Sequence, residues 1–462
     1  MIGRERESRL LRELAASSEA EFVVVYGRRR VGKTYLIRQL FEGEFTFTYT
    51  GVANVSAQSQ RESFLRALVE HGHAPAGPVR TWFDVFAELK AFLLAQRGGP
   101  RLVFLDELPW MDNKRSDFLP AFEHFWNGWA SGAPRLTLIA CGSATAWITK
   151  KIFRAKGGLY NRVTRQIKLQ PFTLAECREL LEEKGIVWGA TDIAECYMVF
   201  GGIPYYLRML RRGLSLAQNV DEICFAPDAP LRNEFDRLFD TLFLDGSRHQ
   251  EVVVALAKKR MGLTRDEIVR SVSFADGGNL TRVLRELEES GFIREYSPFG
   301  KAKKGALFQL ADPFSGFHVN FMAGKSRQSW SAFVGKAAQR AWAGNAFEQL
   351  CLAHIAQIQM ALGIKGVQQD ICSWRDPTAQ IDLVIDRDDN IINLCEMKFW
   401  NSLFEVDKST DRALRERASA FVADTKTRKG VHLTLVTTYG LAPNRHSNLF
   451  QSVVTLEDLL RR

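Results

Sequence analysis

The sequence of 462 residues lacks a long apolar run, a secretion signal and closely paired cysteines. No stretch approaches the roughly 18 consecutive apolar residues that a membrane-spanning helix needs. The opening MIGRERESRLLREL has no apolar centre behind its charges. Seven cysteines are scattered without a C-x-x-C pair, which argues against a zinc knuckle or a disulfide framework. We therefore expect a cytoplasmic protein that uses no membrane and keeps its cysteines reduced.

Size and composition indicate several ordinary globular domains. At roughly 100 to 200 residues per domain, the chain has room for about two to four of them. With 46% hydrophobic and 25% charged residues, disorder and a coiled coil are disfavoured. The net charge of +9 suggests a polyanionic partner. This charge is unevenly spread: residues 1–170 carry +9, residues 171–245 carry −6, residues 246–340 carry +7 and residues 341–462 carry −1.

A phosphate-binding loop follows a short apolar strand. Residues 22–26 (FVVVY) read as a buried parallel strand, and residues 27–34 (GRRRVGKT) complete the pattern G-x-x-x-x-G-K-[ST]. In this pattern backbone N–H groups face the phosphates, Lys33 reaches the β and γ phosphates, and Thr34 offers a hydroxyl to Mg²⁺. A chance glycine turn is disfavoured because a strand precedes the loop and an amphipathic segment follows it. The predicted nucleotide contacts in the loop are Gly27, Arg28, Arg29, Arg30, Val31, Gly32, Lys33, Thr34 and Tyr35.

An apolar strand that ends in two acids predicts the second half of a nucleotide site. In residues 102–107 (LVFLDE), Asp106 is placed to hold Mg²⁺, and Glu107 is placed to orient and deprotonate the attacking water. Paired acids also occur at solvated strand ends, but the upstream Lys33 favours catalysis. A later strand, residues 136–140, leads to Ser143. Ser143 is a candidate γ-phosphate sensor, and its alternative role is to cap the following helix.

These residues and several flanking motifs resemble one ATPase family. The motifs are IGRERE (residues 2–7), GRRRVGKT, LDEL, the CGS strand end, LYNRVTRQIKLQPF (residues 159–172) and GGIPYYL (residues 201–207). Together they resemble the archaeal and bacterial AAA+ ATPases of the STAND-like group, which often carry a nuclease-like C-terminal domain. The resemblance spans nearly the whole chain. It implies a P-loop core that binds ATP and Mg²⁺, followed by a helical lid.

The same resemblance assigns roles to two arginines. It places Arg4 near the adenine, and it makes Arg162 an arginine finger that enters a neighbouring subunit's site, which implies a homo-oligomer. Asn161 stands where the family usually has glycine before this arginine, which leaves the position of the finger open. The alternative is that Arg162, Arg165 and Lys168 form a solvated basic strand.

Residues 246–312 have the pattern of a winged helix-turn-helix. Three helical stretches (HQEVVVALAKKR, TRDEIVRSVSF and GNLTRVLRELEESGFI) precede the strand-like REYS, a basic PFGKAKKG turn and ALFQLAD. The predicted DNA contacts are Asn279, Arg282 and Arg285 on the third helix and Lys301, Lys303 and Lys304 in the wing. Against DNA binding, STAND-like ATPases often use the winged helix as an internal packing module. Glu286, Glu288 and Glu289 would also repel DNA.

A cluster of acids with one lysine predicts a second site near the C-terminus. Asp382 lies in the strand-like AQIDLVID, Glu396 and Lys398 lie in IINLCEMKF, and Glu348 lies on the preceding helix. Residues two apart on a strand share a face, so Glu396 and Lys398 project together while Asp382 approaches from the adjoining strand. Phosphodiester cleavage needs hard oxygen ligands for Mg²⁺ and a cation near the attacking water. Asp382 and Glu396 suit the ligands, Lys398 suits the cation, and Glu348 completes the set.

This second arrangement resembles the PD-(D/E)XK nuclease superfamily, including the acid on the preceding helix. Two other readings stay open. In the first, the hairpin is exposed and its charges form surface ion pairs. In the second, a nuclease-like fold is kept for binding only.

Together the patterns predict an α/β protein with five segments. They are a P-loop AAA+ core (residues 1–170), a helical lid (171–245), a winged helix (246–312), a linker (313–340) and a restriction-endonuclease-like α/β domain (341–462). The leading hypothesis is a Mg²⁺-dependent ATPase that controls a DNA-directed, nuclease-like effector. The alternatives are a non-cleaving ATP-dependent switch or scaffold that binds DNA or protein through the winged helix, and an ATP-gated DNA-remodelling assembly related to transposition.

Overall fold

The computed structural model describes most of the chain and divides it into two compact units. The described residues are 1–96, 98–113, 116–154, 159, 161–243, 245–259, 261–300, 305–324, 328–376 and 379–462. The first unit is Met1–Gln170 and the second is Pro171–Arg462. In the described part of the chain, no helix is both long enough and apolar enough to cross a membrane.

The first unit is built on a five-stranded sheet in which every pairing is parallel. Its strands are β1 (Glu21–Tyr26), β2 (Phe47–Thr50), β3 (Arg101–Asp106), β4 (Leu136–Gly142) and β5 (Arg165–Lys168). The spatial order is β2-β3-β4-β1-β5. The central strands are apolar and buried along their length, because helices cover both faces of such a sheet. The expected α/β fold with a parallel sheet is confirmed.

Helices and short turns connect these strands. The helices are α1 (Glu5–Ala15), α2 (Lys33–Leu40), α3 (Ala57–Glu70), α4 (Trp82–Ala95), α5 (Phe118–Gly128) and α6 (Thr145–Ile148), and a short π-helix (Thr149–Phe153) follows α6. Two of them begin at hydroxyl caps, Ser56 for α3 and Thr81 for α4. An aromatic core holds α4 and α5 together: the Trp82 ring lies 4.9 Å from that of Phe118.

The second unit opens with short helices. These are α7 (Leu174–Glu183), α8 (Ala190–Phe200), α9 (Pro204–Leu207), α10 (Leu216–Val220) and α11 (Glu234–Leu242). Pro204 occupies the first turn of α9, where a missing N–H costs nothing.

Three helices and a small antiparallel sheet follow. They are α12 (Gly246–Ala257), β6 (Leu263–Thr264), α13 (Arg265–Val269), α14 (Gly278–Glu289), β7 (Ile293–Tyr296) and β8 (Leu307–Leu310). The strand order is β6-β8-β7. The next stretch, α15 (Pro313–Phe317) and a π-helix (His318–Met322), buries Phe314 and Phe317 completely. The first residues of the segment predicted as a linker are therefore packed into the unit.

The C-terminal part carries a second five-stranded sheet. Its elements are α16 (Ala337–Ala353), α17 (Ile355–Ala361), β9 (Gln369–Arg375), β10 (Gln380–Arg387), β11 (Ile391–Lys398), α18 (Lys408–Thr425), β12 (Gly430–Thr437), β13 (Ser452–Thr455) and α19 (Leu456–Leu459). The order is β13-β12-β11-β10-β9. β9, β10 and β11 form an antiparallel meander, and β12 and β13 run parallel to β11.

A buried histidine joins the start of the second unit to its C-terminal part. The backbone N–H of Leu174, in the first turn of α7, donates to His354 Nε2 at 2.9 Å. Because Nε2 accepts, the ring proton sits on Nδ1, which lies 2.8 Å from the carbonyl oxygen of Leu350. Burial lowers the pKa of His354 to about 4. The neutral ring is therefore part of the packed structure.

Acid should weaken this joint. An unfolded histidine takes up a proton near its ordinary pKa of about 6.5, whereas the folded ring resists protonation until about pH 4. Stability should thus fall as the pH drops from 6.5 towards 4. Between pH 7 and pH 5 we expect this histidine alone to remove about 2 kcal/mol from the free energy of unfolding.

The pH effect is measured by urea unfolding of the wild type and of His354→Gln at both pH values. Glutamine keeps an acceptor but does not titrate, so the variant should lose about 2 kcal/mol less than the wild type on acidification. His124→Gln, at an exposed position on α5, is the matched control. Equal acid sensitivity of the wild type and His354→Gln would contradict the assignment.

Candidate functional site

The strand order of the first sheet brings Lys33, Ser143 and Glu107 together at the carboxyl ends of its strands. β4 lies between β1, which leads into the phosphate loop, and β3, which ends in Asp106. Carboxyl ends of parallel strands meet at the same edge, so Ser143 after β4 comes between Lys33 and Glu107. The predicted loop, acid pair and serine thus form one cluster.

Two glycines and one buried arginine fix the path of the phosphate loop. At Gly27 (φ 142°) a Cβ atom would lie 2.4 Å from the carbonyl oxygen of Leu169, so only glycine fits. Gly32 (φ 91°) precedes the first turn of α2. Arg4 is buried, and its Nη2 donates to the carbonyl oxygens of Val31 at 3.2 Å and Gln170 at 2.8 Å. Arg4 therefore supports the loop backbone, and its predicted nucleotide contact stays a prediction.

Lys33 is the most enclosed charge of the cluster. Its side chain is 4% exposed, and Nζ donates at 3.0 Å to each of three oxygens: the carbonyls of Gly27 and Arg28, and the hydroxyl of Ser143. Burial lowers the pKa of Lys33, and the nearby carboxylate of Glu107 partly opposes this. The ammonium group is thus held by two backbone carbonyls of the phosphate loop and by the Ser143 hydroxyl.

Asp106 and Thr34 form the hard-oxygen part of the cluster. The Thr34 hydroxyl lies 3.1 and 3.0 Å from the two carboxylate oxygens of Asp106, which is buried at the end of β3. A hydroxyl and a carboxylate side by side are the donors that Mg²⁺ accepts in nucleotide sites. The pair fits the predicted ion.

Glu107 is held in a defined position by Ser143. The Ser143 hydroxyl donates to Glu107 Oε1 at 2.8 Å, and its backbone N–H donates to Oε2 at 3.1 Å. Glu107 itself has a left-handed backbone (φ 47°), which is uncommon for a non-glycine residue and often marks a functional position. One hydroxyl therefore links Lys33 with Glu107. The sequence showed the serine but not this double contact, which joins residues 36 apart.

The other predicted residues of this unit lie around the loop and at the sheet edge. Arg28 is buried and Tyr35 is exposed, while Arg29 and Arg30 are half-buried. Arg162 is exposed and lies just before β5, the edge strand of the sheet. Arg165 and Lys168, on β5 itself, are also exposed.

The predicted DNA contacts on α14 lie opposite its packed face. Asn279 and Arg285 are exposed and Arg282 is half-buried, whereas Leu280, Val283, Leu284 and Leu287 are buried. Glu286 on the same helix bonds His249 Nε2 at 2.9 Å. Lys301, Lys303 and Lys304 lie outside the described residues.

The stem of the predicted wing packs against the C-terminal sheet. Pro298 forms a parallel bridge with Ser373 of β9, and the backbone N–H of Phe299 donates to the Ser373 carbonyl at 2.8 Å. The ring of Phe299 meets that of Phe421 on α18 with centroids 5.0 Å apart. The stem thus extends the sheet beyond β9.

The four residues of the second predicted cluster line one cavity. Glu348, Asp382, Glu396 and Lys398 face a cavity of about 1030 Å³, whose wall also includes Pro298 and Leu307. A bulge in β10 between Ile381 and Val384 interrupts the pairing with β9 at Asp382. Bulges frequently re-aim side chains beside functional sites. The helix, the two strands and the bulge together bring these residues to a common space.

Both oxygens of Glu396 carry ion pairs. Lys398 Nζ lies 2.7 Å from Oε1, and Arg417 Nη1, from α18, lies 2.5 Å from Oε2. Arg417 also lines the cavity. Sequence reasoning missed it, because a residue 21 positions downstream on a charged helix shows no spacing that would single it out.

As arranged, this cavity does not fit the predicted metal. Its carboxylates have the right chemistry for Mg²⁺, but in the described residues no group of three His, Cys, Asp or Glu side chains is set up to hold an ion. The Glu396 oxygens are committed to two cations. The predicted ligands Asp382 and Glu396 therefore share a cavity without forming a ready-made ion site.

Comparison with known proteins relates the part of the chain that holds the first site to ATPase domains. Residues 1–210 match the profile of ATPase_2, described as an ATPase domain predominantly from Archaea. An uncharacterized protein of Methanocaldococcus jannaschii is 26% identical over 326 residues, which are 70% of this chain and 68% of that protein. The Walker-type ATPase PABY2304 of Pyrococcus abyssi has the same kind of fold, with a TM-score of 0.50 and 16% identity over 69% of this chain and 96% of that one. Residues 1–210 are therefore similar to an ATPase domain, and this similarity supports ATP binding and hydrolysis as the function of this part of the chain.

Proposed function

We propose that the chain is a Mg²⁺-dependent ATPase whose nucleotide state controls a phosphodiester-cleaving site, directed at DNA, in its second unit. The observation that carries this proposal is the presence of two separate polar clusters. One joins Lys33, Ser143 and Glu107 in the ATPase unit. The other gathers Glu348, Asp382, Glu396 and Lys398 around one cavity of the second unit.

In the ATPase cluster each side chain has a distinct role. Lys33 meets the phosphate oxygens, and Thr34 with Asp106 would hold Mg²⁺, which neutralises charge on the transferred phosphoryl group. Glu107 orients the attacking water and accepts its proton. Because the Ser143 hydroxyl contacts both Lys33 and Glu107, a shift of the lysine towards phosphate changes the hydrogen bonding of the catalytic carboxylate.

The order of elements around the second cavity supports the nuclease part. A helix (α16), a three-stranded meander (β9 to β11), a second helix (α18) and a parallel strand (β12) follow one another, which resembles the core of PD-(D/E)XK nucleases. Glu348 comes from the first helix, and Asp382 lies at the bulge of the middle strand.

Charge and exposure support DNA as the partner. Residues 246–340 carry a net charge of +7, and Arg285 and Asn279 are exposed on α14, a helix of the proposed winged helix-turn-helix. The wing stem at Pro298 and Phe299 is packed on the sheet. Contacts to DNA from this module should therefore come mainly from α14.

Self-association is proposed through the edge of the first sheet. Arg162 is exposed just before β5, where it is accessible to a second copy of the chain. In this arrangement it would act on ATP bound in the neighbouring subunit, as an arginine finger does.

A non-cleaving, ATP-dependent switch is the second candidate. It is favoured by the ion pairs that neutralise Glu396, and by the absence of a preformed three-ligand metal site in the described part of the second unit. In this alternative the winged helix still binds DNA or protein, but the cavity performs no chemistry.

Removing the Ser143 hydroxyl should impair hydrolysis more than binding. We expect Ser143→Ala to lower kcat for ATP hydrolysis by about 10- to 100-fold, because Glu107 loses a donor that positions it, with little change in KM. Ser143→Thr keeps the hydroxyl and should retain most of the activity. Wild-type kcat in Ser143→Ala would rule out the proposed link.

Glu107 itself should be needed for the chemical step. Glu107→Gln should bind ATP but hydrolyse it at least about 100-fold more slowly, because the amide accepts no proton from water. Lys33→Ala should instead lose ATP binding. Binding is followed with a fluorescent ATP analogue and turnover by phosphate release. Unchanged turnover in Glu107→Gln would remove the assigned base.

The nuclease proposal predicts metal-dependent DNA cleavage that depends on the cavity. Plasmid and single-stranded DNA are incubated with Mg²⁺ or Mn²⁺, with and without ATP. Asp382→Ala and Lys398→Ala should each lower cleavage by at least about 100-fold. The matched controls are Asp389→Ala and Lys408→Ala, outside the cavity lining. Cleavage that persists in both cavity variants, or its absence from the wild type under all conditions, would favour the non-cleaving switch.

A further inference from the structure

We propose that the hydrogen bond between Trp147 and Asp112 positions Glu107 for ATP hydrolysis, which makes Trp147 and Asp112 positioning residues of the ATPase site. This role rests on the proposed function, because it takes Glu107 to be the base that activates water. Trp147 Nε1 donates to Asp112 Oδ2 at 3.0 Å, across 35 positions of the chain. Neither residue belongs to a motif from which the nucleotide site is predicted.

The bond joins the two short helices that follow the strands of the site. After β3 comes a 3₁₀ helix, Leu108–Met111, which Glu107 precedes and Asp112 follows. After the neighbouring strand β4, Ser143 leads into α6, which carries Trp147. At one end the two segments are joined by Ser143, which donates twice to Glu107. At the other end they are joined by the bond from Trp147 to Asp112.

Between these two bonds the segments pack directly on each other. A Cβ atom at Gly142 would lie 2.7 Å from Pro109 Cδ and 2.9 Å from Ile148 Cδ1. Pro109 belongs to the 3₁₀ helix and Ile148 to α6, so both helices touch the backbone just before Ser143. Interiors packed this closely pass a displacement on to their neighbours. A shift of the 3₁₀ helix against α6 therefore disturbs the contact between Ser143 and Glu107.

Glu107 needs this support because its backbone is left-handed (φ 47°). A non-glycine residue keeps such a conformation only where the surrounding structure holds it. The carbonyl oxygen of Glu107 accepts from the backbone N–H of Trp110 at 3.0 Å, so the 3₁₀ helix fixes the backbone that carries the carboxylate. Asp112 holds the far end of the same helix. Release of Asp112 should let the helix turn and let Glu107 leave its position.

The surroundings of the bond favour a fixed direction. Burial raises the pKa of Asp112, while the Trp147 N–H and the charge of Lys151 oppose this rise. A partly buried carboxylate gains from such a donor, because leaving it without one costs the loss of hydration. The ring of Trp147 packs against the apolar core of the unit. The core thus sets the direction of the N–H, and the N–H sets the position of Asp112.

The experiment compares ATP turnover with ATP binding in the full chain. Trp147→Phe keeps most of the ring and removes the N–H. It should lower kcat by about 3- to 10-fold, as expected for one lost hydrogen bond, while the affinity for a fluorescent ATP analogue changes by less than about twofold. Trp129→Phe is the matched control, since Trp129 packs against the same core but lies after α5. Its kcat should stay within about twofold of the wild type.

Variants of Asp112 test the hydrogen bond from its other end. Asp112→Asn keeps an acceptor oxygen and should retain kcat within about threefold of the wild type. Asp112→Ala removes the acceptor and should lower kcat as much as Trp147→Phe, so it takes the place of that variant if Trp147→Phe fails to fold. A loss in Asp112→Asn as large as that in Asp112→Ala would overturn the role of the hydrogen bond.

A double-variant cycle separates positioning of the base from a general effect on the fold. In the Glu107→Gln background there is no base to position, so adding Trp147→Phe should change the residual single-turnover rate by less than about twofold. The same fold-loss in both backgrounds, or wild-type kcat in Trp147→Phe, overturns the positioning role while the slow turnover of Glu107→Gln still supports the base. If Glu107→Gln turns over like the wild type, the assigned base and its positioning residues fall together.

Discussion

The ATPase unit depends on one buried ammonium group that is satisfied by three oxygens. Lys33 is almost fully enclosed, and a buried charge is costly unless it is hydrogen-bonded. Two of its acceptors belong to the phosphate loop and the third is the Ser143 hydroxyl, which also donates to Glu107. This chain of contacts exists because β4 lies between β1 and β3 in the sheet. The strand order thus links Lys33, the proposed phosphate contact, to Glu107, the proposed catalytic base.

In the second unit, hydrogen bonds join the first helix and the wing stem to the C-terminal part. His354 receives a hydrogen bond from the first turn of α7, and the stem at Phe299 extends the C-terminal sheet. The cavity that holds Glu396 and Lys398 is lined both by this sheet and by the three-helix segment before it. A displacement of the stem therefore changes the wall of the cavity. This gives a physical route by which binding at the proposed winged helix affects the proposed nuclease site.

Local patterns were predictable from the sequence, and contacts between distant elements were not. The phosphate loop and the two acids at the end of β3 are contiguous motifs whose spacing indicates their chemistry. The similarity of residues 1–210 to an ATPase family agrees with this prediction. The pairing of Glu396 with Arg417 depends on how α18 lies across the sheet, and the docking of Phe299 depends on an edge strand that was open to pairing. Neither contact can be predicted from the spacing of residues within one helix or strand. The bulge at Asp382 was missed for the same reason, since it is defined only against β9.

The central claim is that ATP in the first unit governs chemistry in the second. The most direct measurement is the initial rate of DNA cleavage by the wild-type chain at fixed Mn²⁺ over a series of ATP concentrations, compared with ATP binding measured in the same buffer. The account predicts that the cleavage rate changes along the same curve as ATP occupancy, with the same midpoint. A cleavage rate that stays constant from zero to saturating ATP would contradict it.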